Sequence, residues 1–255
     1  MRNFDGARPA VRQTYAKMRQ RQTLAHARRM VDKYCAPRGV TLGIWDALAR
    51  TNAFVDLSDP DVDLPNFHHL VQTADALRKA GAPGWLQVVG LIHDLGKILC
   101  EWGCDADGTS LAEQWSLVGD TFAVGCRLPG SAVYPEFNEL HPDRFDQIGI
   151  YSEGVGMMNL QYSFGHDEYL YRVLRANETK LPEEAFYVIR LHSLYPWHTG
   201  GDYAFFENDY DRENKHWVQY FNRFDLYSKE NVETDVDKEY YGALLQKYGL
   251  MEIAF

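Results

Sequence analysis

An all-α, single-domain bundle is the predicted fold, and three observations predict it. Apolar residues recur at three- and four-residue spacing through most of the chain, the signature of helices with one buried face. No pair of alternating runs flanks a tight Asn-Gly or Asp-Gly turn, so hairpins are not expected. The chain has 255 residues, 45% of them hydrophobic and 24% charged, which is enough to bury one large core and excludes disordered and coiled-coil classes.

The elements follow in order. Helical spacing marks 9–36, 43–50, 67–80, 84–101, 112–125, 166–177, 182–193, 214–228 and 234–248. In 67–80 the stripe is Phe67, Leu70, Val71, Ala74 and Leu77. In 84–101 it is nearly continuous from Leu86 to Leu99, as expected of a helix buried on most sides. Pro182 followed by Glu183 and Glu184 marks a helix start, with proline at the first position and acids at the positive end of the dipole. The Pro- and Gly-rich stretch 128–158 reads as a long irregular loop, and loops of that length inside a compact domain tend to be functional. No repeat or linker divides residues 1–255, so one catalytic domain is expected.

Charge and cysteines narrow the partners. Lys and Arg total 26 against 36 Asp and Glu, a net charge of −10, which repels phosphate backbones and anionic lipid. The basic pairs Arg19/Arg21 and Arg28/Arg29 read as an exposed helix face, so neither nucleic acid nor a membrane is an expected partner. Cys35, Cys100, Cys104 and Cys126 fit no zinc-ribbon or Cys-x2-Cys redox spacing. The N-terminal segment is polar with no apolar signal region, and the expected location is the cytoplasm.

The longest apolar run, Trp85 to Cys100, is interrupted by His93, Asp94 and Lys97. Burying an ionised group without a partner costs several kcal/mol, on the order of 3–5. Asp94 and Lys97 are three apart and can pair with each other, which would leave His93 as a core histidine. Other helices carry the same anomaly. His68 and His69 begin one, His166-Asp167 opens another, His192 ends a third, and Asp225 follows the stripe Trp217, Tyr220, Phe221, Phe224. Several helices directing imidazole or carboxylate inward need one another or a cation, and bundle cores are a recurrent place for metals. A nitrogen and oxygen donor set suits Fe, Mn or Zn. Four imidazoles and two carboxylates exceed one tetrahedral shell, so two metals are expected, either hydrolytic or redox. His69 shares a face with Thr73 and Ala76, small or polar neighbours that favour it over His68. His26, His141 and His216 read as solvated, and His198 as a turn or supporting residue.

The HDLGK segment resembles the HD-domain superfamily of helical metalloproteins. The longer series SDPDVDLPN, HLVQTAD, VGLIHDLGK, VGDTFAVGCR, FGHDEYLYRV, LPEEAFYVIRLHSLYPWHTG and FNRFDLYSK is similar, in order and spacing, to the myo-inositol oxygenase family over essentially the whole chain. The resemblance implies a mixed-valent Fe(II)/Fe(III) enzyme that opens the ring of myo-inositol with O2 to give D-glucuronate. The substrate would chelate the ferric ion, and a superoxo species would abstract the C1 hydrogen. One iron would take His69, His93, Asp94 and Asp225, and the other His166 and His192, with Asp94 bridging. The resemblance places Arg2, Asp56, Lys97, Gly119, Asp120, Ser193 and Lys229 around the substrate, with Lys97 and Asp94 in the chemistry. Lys97 lies one turn from Asp94 and Lys229 one turn from Asp225; a lysine there favours ionisation of a bound hydroxyl. Arg2 stands beside the start of the chain, CDADGTS is expected to be an inserted surface loop, and YGLMEIAF matches the family loosely. The expected partners are the polyol and O2, with the chain acting as a monomer. The alternatives are a metal-dependent phosphohydrolase of the same superfamily, a related di-iron oxygenase of another polyol or a phosphonate, and a non-catalytic metal-stabilised binding protein.

Overall fold

The structure, a computed structural model, describes residues 4, 6–59, 65–225 and 235–255. The chain is mainly helical, as the periodicity predicts. Its centre is the pair α4 (Asn66–Lys79) and α5 (Gly84–Ile92), packed on each other and flanked by α7 (Glu183–Leu191) and α9 (Asp209–Asp225). The helix α6 (His166–Ala176) packs on α7 and on a 3-10 helix, Leu95–Glu101, that continues from α5. Of the stripe read from the sequence, Leu70, Val71, Ala74 and Leu77 of α4 are fully buried and Phe67 is half-buried. Near the start, α1 (Pro9–Arg21), α2 (Leu24–Tyr34) and α3 (Ile44–Arg50) lie outside this pair. α8 (Tyr195–His198) is a single turn, and α10 (Lys238–Lys247) closes against α5. Two short antiparallel strands, β1 (Thr41–Gly43) and β2 (Glu252–Ala254), pair Leu42 with Ile253 and tie the C-terminal residues to the start of α3. Among the described residues no helix is long and apolar enough to cross a membrane.

The sequence expectations fail at identifiable places. Residues 9–36 form two helices, because Thr23 caps α2 by accepting from the His26 amide while the Gln22 side chain donates to the Trp115 and Phe164 carbonyls. Residues 112–125 form turns and extended chain rather than a helix. Their backbone groups bond elsewhere: the Thr121 N–H donates to Ser193 O and the Val124 N–H to Gln161 O. The helix expected over 84–101 stops at Ile92, and Pro182 is the N-cap of α7 rather than its first residue. α9 starts five residues earlier than expected, at Asp209, while the end of 214–228 and the start of 234–248 lie outside the described residues. The 128–158 stretch is irregular apart from two 3-10 turns, Pro135–Leu140 and Met157–Asn159.

Three surface assignments are overturned. Arg19 is fully buried, His26 and His141 are buried, and Asp107 and Thr109 of CDADGTS point inward. The Asp107 carboxylate accepts from Lys33 and Tyr34, so the inserted segment is anchored to α2. His26 accepts from Arg29 at Nδ1 and meets Ser116 Oγ at 2.8 Å through Nε2, the pattern of a neutral ring. Burial, reinforced by the Arg29 charge, pushes its pKa down to about 4. Between that value and the unfolded value near 6.5 the unfolded chain binds more protons, so the stability His26 contributes is complete above 6.5 and is lost as the pH falls toward 4. His26→Gln keeps a neutral donor and acceptor. Denaturant titrations from pH 7.5 to 4.5 should show the wild type losing on the order of 2–3 kcal/mol relative to this variant. A pH-independent difference between the two would disprove the assignment.

Candidate metal centre

The anomalous polar residues meet at helix ends. His69 lies in the first turns of α4, His166 is the first residue of α6, and Asp225 is the last of α9. His93 and His192 are the C-caps of α5 and α7. The backbone leaves the α-helix at Asp94, with φ −93° and ψ 2°. In a continuous helix neighbouring side chains diverge by about 100°; the break lets His93 and Asp94 serve one centre. Two residues on, the backbone of Gly96 packs so closely on α6 that an added Cβ would lie 2.1 Å from the His166 carbonyl oxygen. No other residue type fits there, and this contact brings His166 to Asp94.

The distances define two ligand groups with a shared member. His69 Nε2 and His93 Nε2 lie 3.0 and 3.2 Å from Asp225 Oδ1. His93 Nε2 is 3.8 Å from Asp94 Oδ1. On the other side, the same Asp94 oxygen is 3.0 Å from His166 Nε2 and 3.9 Å from His192 Nε2. Donor atoms of His69, His93 and Asp94 are mutually within 4.8 Å, as are those of Asp94, His166 and His192.

Three of the rings are held in one tautomer. His93 Nδ1 donates to Gly90 O at 3.0 Å, His166 Nδ1 to Leu117 O at 2.8 Å and His192 Nδ1 to Ile189 O at 2.8 Å. Each ring therefore turns an Nε2 lone pair inward, the arrangement by which second partners orient metal-bound histidine. The lone pairs of His166 and His192 face each other at 3.3 Å, and buried His93 Nε2 makes no hydrogen bond. Opposed lone pairs repel unless a proton or cation lies between them. The carboxylates pull in the same direction. Burial disfavours charge on His166, but Asp167 and Asp94 outweigh it and push its pKa up to about 9. Burial alone would raise Asp94, yet Lys97, His93 and His166 hold it well below the carboxylate range. The cluster is a set of nitrogen and oxygen donors that calls for positive charge at its centre, and it can bind metal.

The other expected site residues fall into two sets. Lys97 Nζ donates to Asp94 Oδ2 at 2.8 Å and to Asp56 Oδ2 at 2.9 Å, so the i,i+3 ion pair foreseen from the sequence forms and extends to a second acid. Asp56 Oδ1 accepts from the Ser58 amide and hydroxyl. The segment Gly119-Asp120 runs beside Ser193, because Thr121 bonds to the Ser193 carbonyl. Gly119 has φ +88°, a conformation that favours glycine. Asp120 Oδ1 accepts from the Tyr15 hydroxyl at 3.1 Å. His69, rather than His68, joins the cluster. Arg2 and Lys229 lie outside the described residues.

Three supporting groups were not singled out in the sequence, and a fourth, His198, was. Asn66 Oδ1 lies 3.4 Å from Lys97 Nζ, and the Tyr195 hydroxyl donates to Asp225 Oδ2 at 3.3 Å. Thr121 Oγ1 donates to Asp167 Oδ2 at 2.8 Å. His198 Nε2 donates to the His192 carbonyl, the supporting role expected of it. A hydroxyl inside the apolar run Leu194-Tyr195-Pro196-Trp197 was the available signal for Tyr195.

A sequence model of the family described as Myo-inositol oxygenase matches residues 8–255. A probable inositol oxygenase of Oryza sativa subsp. japonica is 43% identical over 237 residues, covering 89% of this chain and 75% of its own. The inositol oxygenase of Mus musculus is 43% identical over 244 residues (92% and 83%), and that of Dictyostelium discoideum 37% identical over 258 residues (97% and 87%). With the family match spanning nearly the full length and relatives this similar over most of the chain, the chain belongs to the myo-inositol oxygenase family.

Proposed function

We propose that this chain cleaves the ring of myo-inositol with O2 to give D-glucuronate, using a mixed-valent pair of iron ions. His69, His93, Asp94 and Asp225 would hold one ion, and His166 and His192 the other, with Asp94 common to both. The observation that carries this proposal is the membership of Asp94 in both ligand groups, with three histidines presenting fixed lone pairs to it. When bound, such a pair supplies O2 activation and Lewis-acid binding of adjacent hydroxyls.

The chain's own residues would seat the polyol. A polyol offers only hydroxyls, so recognition requires several oriented donors and acceptors, each of which adds discrimination. Asp56, Lys97, Gly119, Asp120 and Ser193 would supply them, with Arg2 and Lys229 completing the set. Burial disfavours the Lys97 ammonium, but Asp56 and Asp94 outweigh it and raise its pKa, so Lys97 stays charged. A fixed ammonium stabilises negative charge on a nearby hydroxyl oxygen and does not serve as a base. The four cysteines are free thiols, in keeping with a proposed cytoplasmic location, and one chain, as a single catalytic domain, would suffice for the whole ligand set.

The test is anaerobic purification followed by metal analysis and O2 uptake. About two irons per chain are expected, together with O2 consumption on myo-inositol that a chelator abolishes and added iron restores. Turnover of myo-inositol without O2 uptake would defeat the proposal. So would O2-independent hydrolysis of phosphoesters, the outcome expected of a phosphohydrolase.

A further inference from the structure

Arg19 is fully buried on α1, far along the chain from every candidate metal ligand. A guanidinium in that position costs several kcal/mol, on the order of 3–5, unless charge and hydrogen bonds compensate it. Its Nε donates to Asn138 Oδ1 at 3.0 Å and its Nη2 to the Val133 carbonyl at 3.3 Å. The guanidinium lies 4.5 Å over the Phe122 ring, and buried Nη1 makes no hydrogen bond. Two neutral acceptors satisfy part of a five-donor cation and none of its charge. The carboxylate whose field opposes the burial cost is Asp120, two residues before Phe122. One helical turn before Arg19, on the same face of α1, fully buried Tyr15 donates directly to Asp120 Oδ1.

We propose that Arg19 is a positioning residue for the substrate: together with Tyr15 it presents α1 to the 119–122 segment and fixes the Asp120 carboxylate as an oriented anion facing the polyol. This rests on the proposal above that Asp120 contacts the substrate. It assigns α1, which carries no candidate metal ligand, a part in how tightly the ring is seated. Loss of Arg19 then weakens substrate binding without touching the metal ligands.

The experiment is steady-state kinetics on myo-inositol with iron-loaded R19M, R19K, D120N and the R19M/D120N double variant, with melting temperatures and iron content measured in parallel. R19M should raise KM about tenfold with kcat within about twofold, and R19K, which keeps the charge, should recover most of the loss. On the D120N background R19M should add less than about twofold, because both changes act through the one Asp120 carboxylate. If R19M does not fold, R19K and R19Q carry the same comparison. Two results would overturn the inference: KM effects that multiply in full in the double variant, or a lowered melting temperature with kcat and KM unchanged. If D120N itself leaves KM unchanged, the placement of the polyol at Asp120 fails, and this inference fails with it.

Discussion

Asp94→Asn is expected to abolish turnover, lowering it by more than about a thousandfold, and to remove metal from both halves of the centre. Asp94 Oδ1 lies within 4 Å of the Nε2 atoms of His93, His166 and His192 together. An amide keeps the shape of the side chain but carries no negative charge, so each half loses its shared anionic donor. Asp225→Asn is the control. Of the four candidate histidines, its Oδ1 meets His69 and His93 among the described residues, so one metal should be lost preferentially while the His166/His192 half retains metal. Iron content and near-infrared or EPR signals of the two variants distinguish these cases. Equal metal loss in both variants would contradict the division into two groups. Retention of full metal by Asp94→Asn would contradict the shared ligand.

Most of the centre was legible in the sequence because charge and imidazole in apolar helices violate the rule that cores are built from apolar groups. His93, Asp94 and Lys97 stand out within an aliphatic run, and His166-Asp167 and His192 repeat the anomaly at helix ends. The helical stripes were legible for a related reason: in α4 Leu70, Val71, Ala74 and Leu77 are buried as their spacing predicts, with Phe67 half-buried at its start. Features settled by distant partners were not legible. The break at Gln22 depends on the carbonyls of Trp115 and Phe164, the latter 142 residues away. The apolar run at 112–125 resembles a helix until the backbone partners at Gln161 and Ser193 are known. Arg19 sits among Arg and Gln on what reads as a solvated face, and the return of the 128–158 loop over α1, with the Phe122 ring, buries it. Local spacing records what a segment can bury. It does not record what folds back over it.

Lys97→Met is the second large effect, and it separates charge that holds the fold from charge that serves the chemistry. Lys97 is 5% exposed and bridges buried Asp94 to half-buried Asp56, so its loss leaves Asp56 facing Asp94 with no cation between them. Removing one partner of a buried ion pair costs about 3–5 kcal/mol, which denaturant unfolding should record. Metal held at the proposed centre would offset the charge on Asp94, so the acid left exposed to this penalty is Asp56. The double variant Lys97→Met/Asp56→Asn should therefore recover most of the lost stability while turnover stays down by about a hundredfold or more. Lys97→Arg retains charge, but a planar fork cannot reproduce a point ammonium shared among Asp94, Asp56 and Asn66, so only partial activity is expected. If Lys97→Met turned over at the wild-type rate while losing stability, the ammonium would be a strut between two acids and nothing more. If instead stability held and turnover fell, the penalty assigned to Asp56 would be wrong, and water reaching that carboxylate would be the physical reason.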